Sequence, residues 1–410
     1  MKHPQRALAA VATLSTLVAW AAVPGQARAG TPGNVDSGIR ATQCYRTGSH
    51  QLVACAGADL PAQDGALGRD TDPATNTNAD GLLGLSFTRV CNNGKAEGQP
   101  GCTSPKPGMG PKDWGCNVDN LTHIMWEVKA PPGSGWRASD LKYTNYSADY
   151  NPVGAYGSAT DAQGFVDAVN AHALCGFTDW GLAHTAKVQT ILTYGVAGPG
   201  AARVDPTYFP TINADWYWND SPNPSNVATA FGVDFADGSV SNAEGREALR
   251  YAQVLRNGKS QFDPDGRYKY LDGGAVVQDT TVTAQVWWRR CVEGTTFVPV
   301  AGTNDGTCDG TPTRFTQEQA LQWAASESLR TGQPWRVPSV KELNWLVQRE
   351  IDSPPIMHKA FPDTPAEATW TSTPEVRTPL AAWTIDYGVG LIAVHPRTDA
   401  LVLRLVRDPG

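Results

Sequence analysis

The sequence predicts two tandem α+β domains behind a short export signal. Three observations carry this. A repeat recurs at a nearly constant offset, each copy runs from helices to short antiparallel strands, and all eight cysteines lie outside the signal.

The repeat is clearest around paired aromatic residues. Phe209, Pro210, Trp218 and Pro222 recur as Phe361, Pro362, Trp370 and Pro374, an offset of 152. Ala230 and Asp234 recur at the same offset as Ala382 and Asp386. Arg256 matches Arg407 at 151, Trp180 matches Trp335 at 155, and Trp126 matches Trp287 at 161. Slowly drifting offsets over so many anchors define two homologous units, 115–257 and 268–410. A Gly/Asn-rich lead-in, 30–114, comes before them.

Each unit opens with a short strand at the Thr-x-x-x-Trp motif that ends on Trp126 or Trp287. A helix follows, 161–173 in the first copy and 316–328 in the second. Ala320, Leu321, Ala324 and Leu329 fall near helical spacing, and Thr316 with Gln319 forms a capping signature. A turn at Trp335-Arg336-Val337-Pro338 leads to a second helix. Ser339 caps it, and Leu343, Leu346 and Val347 make its apolar face. Short alternating strands around Trp370, 383–387, 391–394 and 401–406 complete the unit. Helices first and antiparallel strands later is an α+β order.

The first 29 residues read as a signal peptide. Lys2 and Arg6 precede an apolar run, 7–23, and Ala27-Arg28-Ala29 supplies small residues at the cut. The run is short for a bilayer span, and no later stretch is long and apolar enough for one. The expected location is therefore secreted or periplasmic, in a bacterium, after cleavage near Ala29. Cleavage removes three basic residues (Lys2, Arg6, Arg28) and no acidic one. The mature chain keeps 30 Lys and Arg against 40 Asp and Glu, a net charge of −10. Such a surface repels phosphate polymers, so nucleic acid is not an expected partner.

An even cysteine count in an exported chain reads as disulfides. Short polar loops separate Cys44 from Cys55, Cys91 from Cys102, and Cys291 from Cys308. Cys116 and Cys175 remain as the fourth pair. The sequence has no CxxC, and no His sits at ligand spacing from a Cys, so zinc is not expected.

Several segments together resemble one known family. They are 116–129, 174–180, Trp335-Arg336-Val337-Pro338-Ser339 through Leu343, Ala382-Trp383, and the closing 403–407. These resemble the collagen-like-protein (Lcl) C-terminal domain family, and Gln43-Cys44-Tyr45 resembles its usual lead-in. The resemblance implies a C-type-lectin-like fold related to formylglycine-generating enzymes. It also implies adhesion or binding of polysaccharide. The first copy is degenerate, since Gly181-Leu182-Ala183-His184 replaces the Arg-hydrophobe-Pro-Ser pattern.

Candidate site residues follow. Trp216, Tyr217, Asn219 and Asp220 combine aromatic faces with groups that hydrogen-bond hydroxyls, as sugar binding requires. In an extended segment Tyr217 and Asn219 would form the exposed pair. Trp218-Asn219-Asp220 also resembles the triplet with which C-type lectins hold calcium, so Asn219 and Asp220 are candidate calcium ligands. Asn76-Thr77-Asn78-Ala79-Asp80-Gly81 is half an EF-hand loop, with Phe87 where Glu is needed, and reads as a turn. No other cofactor is expected.

Trp126, Trp180, Trp287, Trp335, Trp370, Arg336 and Pro338 read as architectural. Asp234 and Asp386 are expected to pair with arginines such as Arg256 and Arg407. The sequence holds no catalytic template such as GxSxG, HExxH or Walker A. No cysteine follows Cys308, which argues against oxidase chemistry in the second copy. The reading is an exported binding or surface-interaction protein. The alternatives are an enzyme (a degenerate oxidase or a carbohydrate-active hydrolase) and a structural subunit of an extracellular assembly.

Overall fold

The computed structural model describes residues 36–71, 84–146, 160–195, 200–256, 266–280 and 286–408. The predicted signal peptide, the Asn76–Gly81 turn and Thr283 lie outside the described residues.

Each repeat carries its own antiparallel sheet. In the first copy the strand order is Phe87–Cys91, Trp114–Asp119, Met125–Glu127, Val254–Arg256, Gly181–Leu182. In the second it is Tyr268–Leu271, Val276–Asp279, Trp287–Arg289, Val406–Arg407. Arg336 bridges Val406 at the edge, where Gly181 pairs with Leu255 in the first copy. Trp180 and Trp335 therefore hold equivalent places.

The register corrects one expected equivalence. Trp126 pairs with Leu255, while Trp288, not Trp287, pairs with Val406. Trp126 and Trp288 lie in the same core at 0% and 1% exposure. Trp287 pairs with Arg407 and packs against a different core. A slip of one residue turns a side chain to the other face of a strand, so the true offset there is 162.

The helices start where the caps place them. Asp161 accepts from the Gly164 backbone N–H at 2.7 Å and begins Ala162–Ala171. Thr316 and Gln319 close a capping box at the start of Gln317–Thr331. Ala320, Leu321 and Ala324 are buried, but Leu329 is 87% exposed. Five residues beyond Ala324, it falls on the far side of the helix, and Glu327 continues the buried face instead. Ser339 and Glu342 form a second capping box at Val340–Trp345. In the degenerate copy this helix shrinks to the single turn Thr185–Val188, capped by His184.

A seven-stranded sheet joins the repeats. Its order is Tyr251–Ala252, Trp216–Pro222, Thr229–Asp234, Val240–Gly245, Leu391–Pro396, Ala381–Asp386, Ala368–Pro374. The central contact is antiparallel, Val240 opposite Ile392, and these residues are themselves equivalent at offset 152. Equivalent strands meet as in a two-fold dimer interface. Both outer meanders carry a bulge at the same place, after Trp218 and after Trp370. Trp218 Nε1 donates to the Tyr143 carbonyl and Trp370 Nε1 to the Phe315 carbonyl, both at 2.7 Å.

Both faces of this sheet are covered. Tyr217, Phe231, Val233, Trp383, Ile385 and Ile392 enter one core shared by the two repeats. On the other face Trp218 packs with Phe165 and Trp180, and Trp370 with Leu321 and Trp335.

The lead-in is fastened to both copies. Tyr45 is fully buried, donates to the Ala381 carbonyl at 2.9 Å and lies under Arg397. Lys341 Nζ donates to the Asp36 carbonyl at 2.6 Å, and the Tyr194 N–H to the Ser37 carbonyl at 2.7 Å. Phe87–Cys91 is an edge strand of the first repeat.

Four disulfides close: Cys44–Cys55, Cys91–Cys102, Cys116–Cys175 and Cys291–Cys308. They are the pairs the spacing predicts, and they are consistent with an extracellular or periplasmic protein. Among the described residues no helix is long and apolar enough to cross a membrane.

Candidate functional site

The strand Trp216–Pro222 does not present the expected exposed pair. Tyr217 and Asn219 are each 1% exposed. The Tyr217 hydroxyl accepts from the Asn213 backbone N–H at 2.9 Å, and its ring packs on Phe235 and Tyr251. Asn219 Oδ1 accepts from the Ser221 N–H at 2.9 Å, which turns it into the local bulge. The physical reason is the second core. Alternation along a strand exposes one side only where one side faces water. Trp216 is half-buried and Asp220 is exposed, so the four residues do not converge on one surface. Among the described residues no group of three or more His, Cys, Asp or Glu side chains is placed to hold a metal ion.

The expected pairing of Asp234 and Asp386 with arginines is also corrected. Asp234 Oδ1 accepts from the Ala236 N–H at 2.8 Å, and Asp386 Oδ1 from the Gly388 N–H at 2.6 Å. Both aspartates close the turn that ends their strand, an ordinary role for a short acceptor side chain. The arginines belong to the other sheets. Arg256 pairs with Asp179 at 2.7 Å, and Arg407 stacks on Trp287 while donating to Gln333.

Arg336 and Ser339 line a polar cleft between the lead-in and the second repeat. Arg336 donates to Glu342 and Asp408, with contacts of 2.7 Å to each. Burial alone would raise the Glu342 pKa, but the arginine outweighs it and holds the carboxyl low. The Pro338 carbonyl accepts from the Ser372 N–H. Asp64 lines the same cleft, accepting from Ser37 at 2.8 Å and from the Thr373 hydroxyl. Burial pushes Asp64 up to about 7. Lys341, nearby and buried, is pushed down to about 8.

A second, narrow groove lies on the seam between the repeats. Asn223, Ser225 and Asn242 come to it from the first copy, and Arg349, Asp352 and Val389 from the second. Ser225 Oγ donates to Asp352 at 2.9 Å across the rim. Nearby, His184 and Glu350 join the copies at 2.8 Å. Arg349 is 1% exposed and donates through Nη2 to Asn344 Oδ1 at 2.8 Å. Among the described residues its Nε and Nη1 have no hydrogen-bond partner. Burial pushes its pKa down to about 9. No spacing in the chain signals this groove, because it forms only where two distant segments meet.

Fold and site together define a disulfide-bonded protein built from two copies of one α+β domain, fused through a shared sheet. That domain is the Lcl C-terminal domain, whose family model matches residues 115–255 and 275–407. The chain belongs to this family. No curated protein and no solved structure matches it.

Proposed function

We propose that this is an exported surface protein that binds polysaccharide through the groove on the inter-repeat seam. The carrying observation is the chemistry of that groove. An amide (Asn242), a hydroxyl (Ser225) and a carboxylate (Asp352) stand beside apolar Val389 and Ile351. Sugars offer the matching mixture of hydroxyls and apolar ring faces. The lectin-like character of each repeat and the adhesive role belong to the same reading. Asp352 is the one carboxylate lining the groove among the described residues, whereas glycoside hydrolysis typically needs a pair. That favours binding over catalysis here.

The test is a glycan array and a pull-down on insoluble polysaccharide with the mature chain. Ser225 is exposed at the rim, so Ser225→Trp plugs the groove at little cost to folding. The expected result is carbohydrate binding by the wild type and its loss in the variant. Equal binding by both, or no binding by either, contradicts the proposal.

A further inference from the structure

Two arginine-on-aromatic contacts cross the seam, one with an acid in hydrogen-bond contact and one without, although the two arginines do not hold equivalent positions in the repeat. In the contact with the acid, buried Arg203 of the first repeat lies 5.5 Å above the Trp383 ring of the second. Its Nη2 donates to both oxygens of Glu375, at 3.0 and 2.9 Å. In the other contact the repeats exchange roles. Arg349 of the second repeat lies 5.4 Å above the Phe231 ring of the first.

Phe231 is the counterpart of Trp383, and Asn223 is the counterpart of Glu375, both at offset 152. Asn223 brings no carboxylate, and its amide is engaged locally. Its Nδ2 donates to Thr229 Oγ1 and to the Asn242 carbonyl, and its Oδ1 accepts from the Ser225 N–H. Arg349 and Asn223 both line the groove. A buried guanidinium without an acid is costly. Its planar fork suits a carboxylate, which it can grip through two N–H groups at once.

We propose that the inter-repeat groove is a carboxylate-binding subsite, in which a ligand carboxylate takes the place beside Arg349 that Glu375 occupies beside Arg203. Resting on the polysaccharide reading, the ligand group is the carboxylate of an acidic sugar. Glu350 attracts Arg349 through space but makes no hydrogen bond to it among the described residues, and its Oε1 is taken by His184. Asp352 at the exposed rim and the net charge of the mature chain disfavour groups of higher negative charge. Arg349 lies below the accessible surface, so the ligand reaches it as the Ser225–Asp352 contact parts.

The test is calorimetric titration of the mature chain with an oligogalacturonide, with its methyl ester, and with acetate. The acid oligomer is expected to bind about tenfold more tightly than the ester, in keeping with hydrogen bonds to a charged group. Asn223→Glu supplies the missing carboxylate from within. It should abolish that preference, and Arg349→Gln should abolish it too; circular dichroism checks that each variant is folded, since Asn223→Glu also removes the two hydrogen bonds that the Asn223 amide donates. Equal binding of acid and ester overturns the subsite and leaves the polysaccharide reading standing. Acetate binding that Asn223→Glu removes, with neither oligomer bound, upholds the subsite and overturns the polysaccharide reading. Silence from all three probes overturns both.

Discussion

Val240 stands opposite Ile392 at the rung that joins the two repeats into a single sheet among the described residues. Both side chains enter the shared core, at 3% and 1% exposure. The repeats are thus two halves of one cooperative body. Ile392→Asp buries an unpaired charge at that rung and is expected to cost about 3 kcal/mol or more. Urea unfolding should show one transition in the wild type and a lower midpoint in the variant. Two separate transitions in the wild type would contradict the shared core.

Asp64 makes the docking of the lead-in sensitive to pH. Its folded pKa, about 7, is raised by burial above the ordinary 3.8. The folded state therefore holds the proton more tightly than the unfolded chain. This stabilisation is fully present below about pH 4 and is lost as pH rises to about 7, at up to about 1.4 kcal/mol per unit. Asp64→Asn removes that group. The stability difference, wild type minus variant, should fall across this window in denaturant titrations. A flat difference would show that Asp64 does not titrate between the lead-in and the second repeat.

Arg336 is the second stability test. It is buried against Glu342 and Asp408. Arg336→Ala strands two acids, one of them mostly buried, and should cost about 3 kcal/mol. Arg336→Met with Glu342→Leu should recover part of that loss, since only the more exposed Asp408 then stays unpaired. Both are measured by equilibrium unfolding.

Among the disulfides, Cys116–Cys175 spans 59 residues and Cys44–Cys55 spans 11. In the chain-entropy picture the longer loop contributes about 4 kcal/mol and the shorter about 3. Replacing both cysteines of each pair by Ala should lower the melting temperature more for the Cys116–Cys175 variant. That link also fastens the strand Trp114–Asp119 to the turn Leu174–Gly176.

Much of the fold was legible because its signals are local or repeated. Caps at Thr316 and Ser339 span only four residues each. The Trp218 and Trp370 positions repeat with their surroundings. The Trp287-Trp288 dipeptide defeats this logic, because either residue satisfies an alignment by type and only strand register chooses. Tyr217 and Asn219 fail for a different reason. Alternation gives the two sides of a strand but not what covers each, and here a second core covers the side expected to be open. The docking of Tyr45 and Asp64 on the second repeat, and the Arg349 groove, depend on contacts between segments over a hundred residues apart. No spacing in the chain records them.

Hydrogen–deuterium exchange on the protein, with and without the polysaccharide that the array ranks first, tests the central claim most directly. The account predicts new protection at the seam, in 223–225, around Asn242, in 349–355 and at 388–389. Protection confined to 216–220 or to the outer sheets, with the seam unchanged, would contradict it.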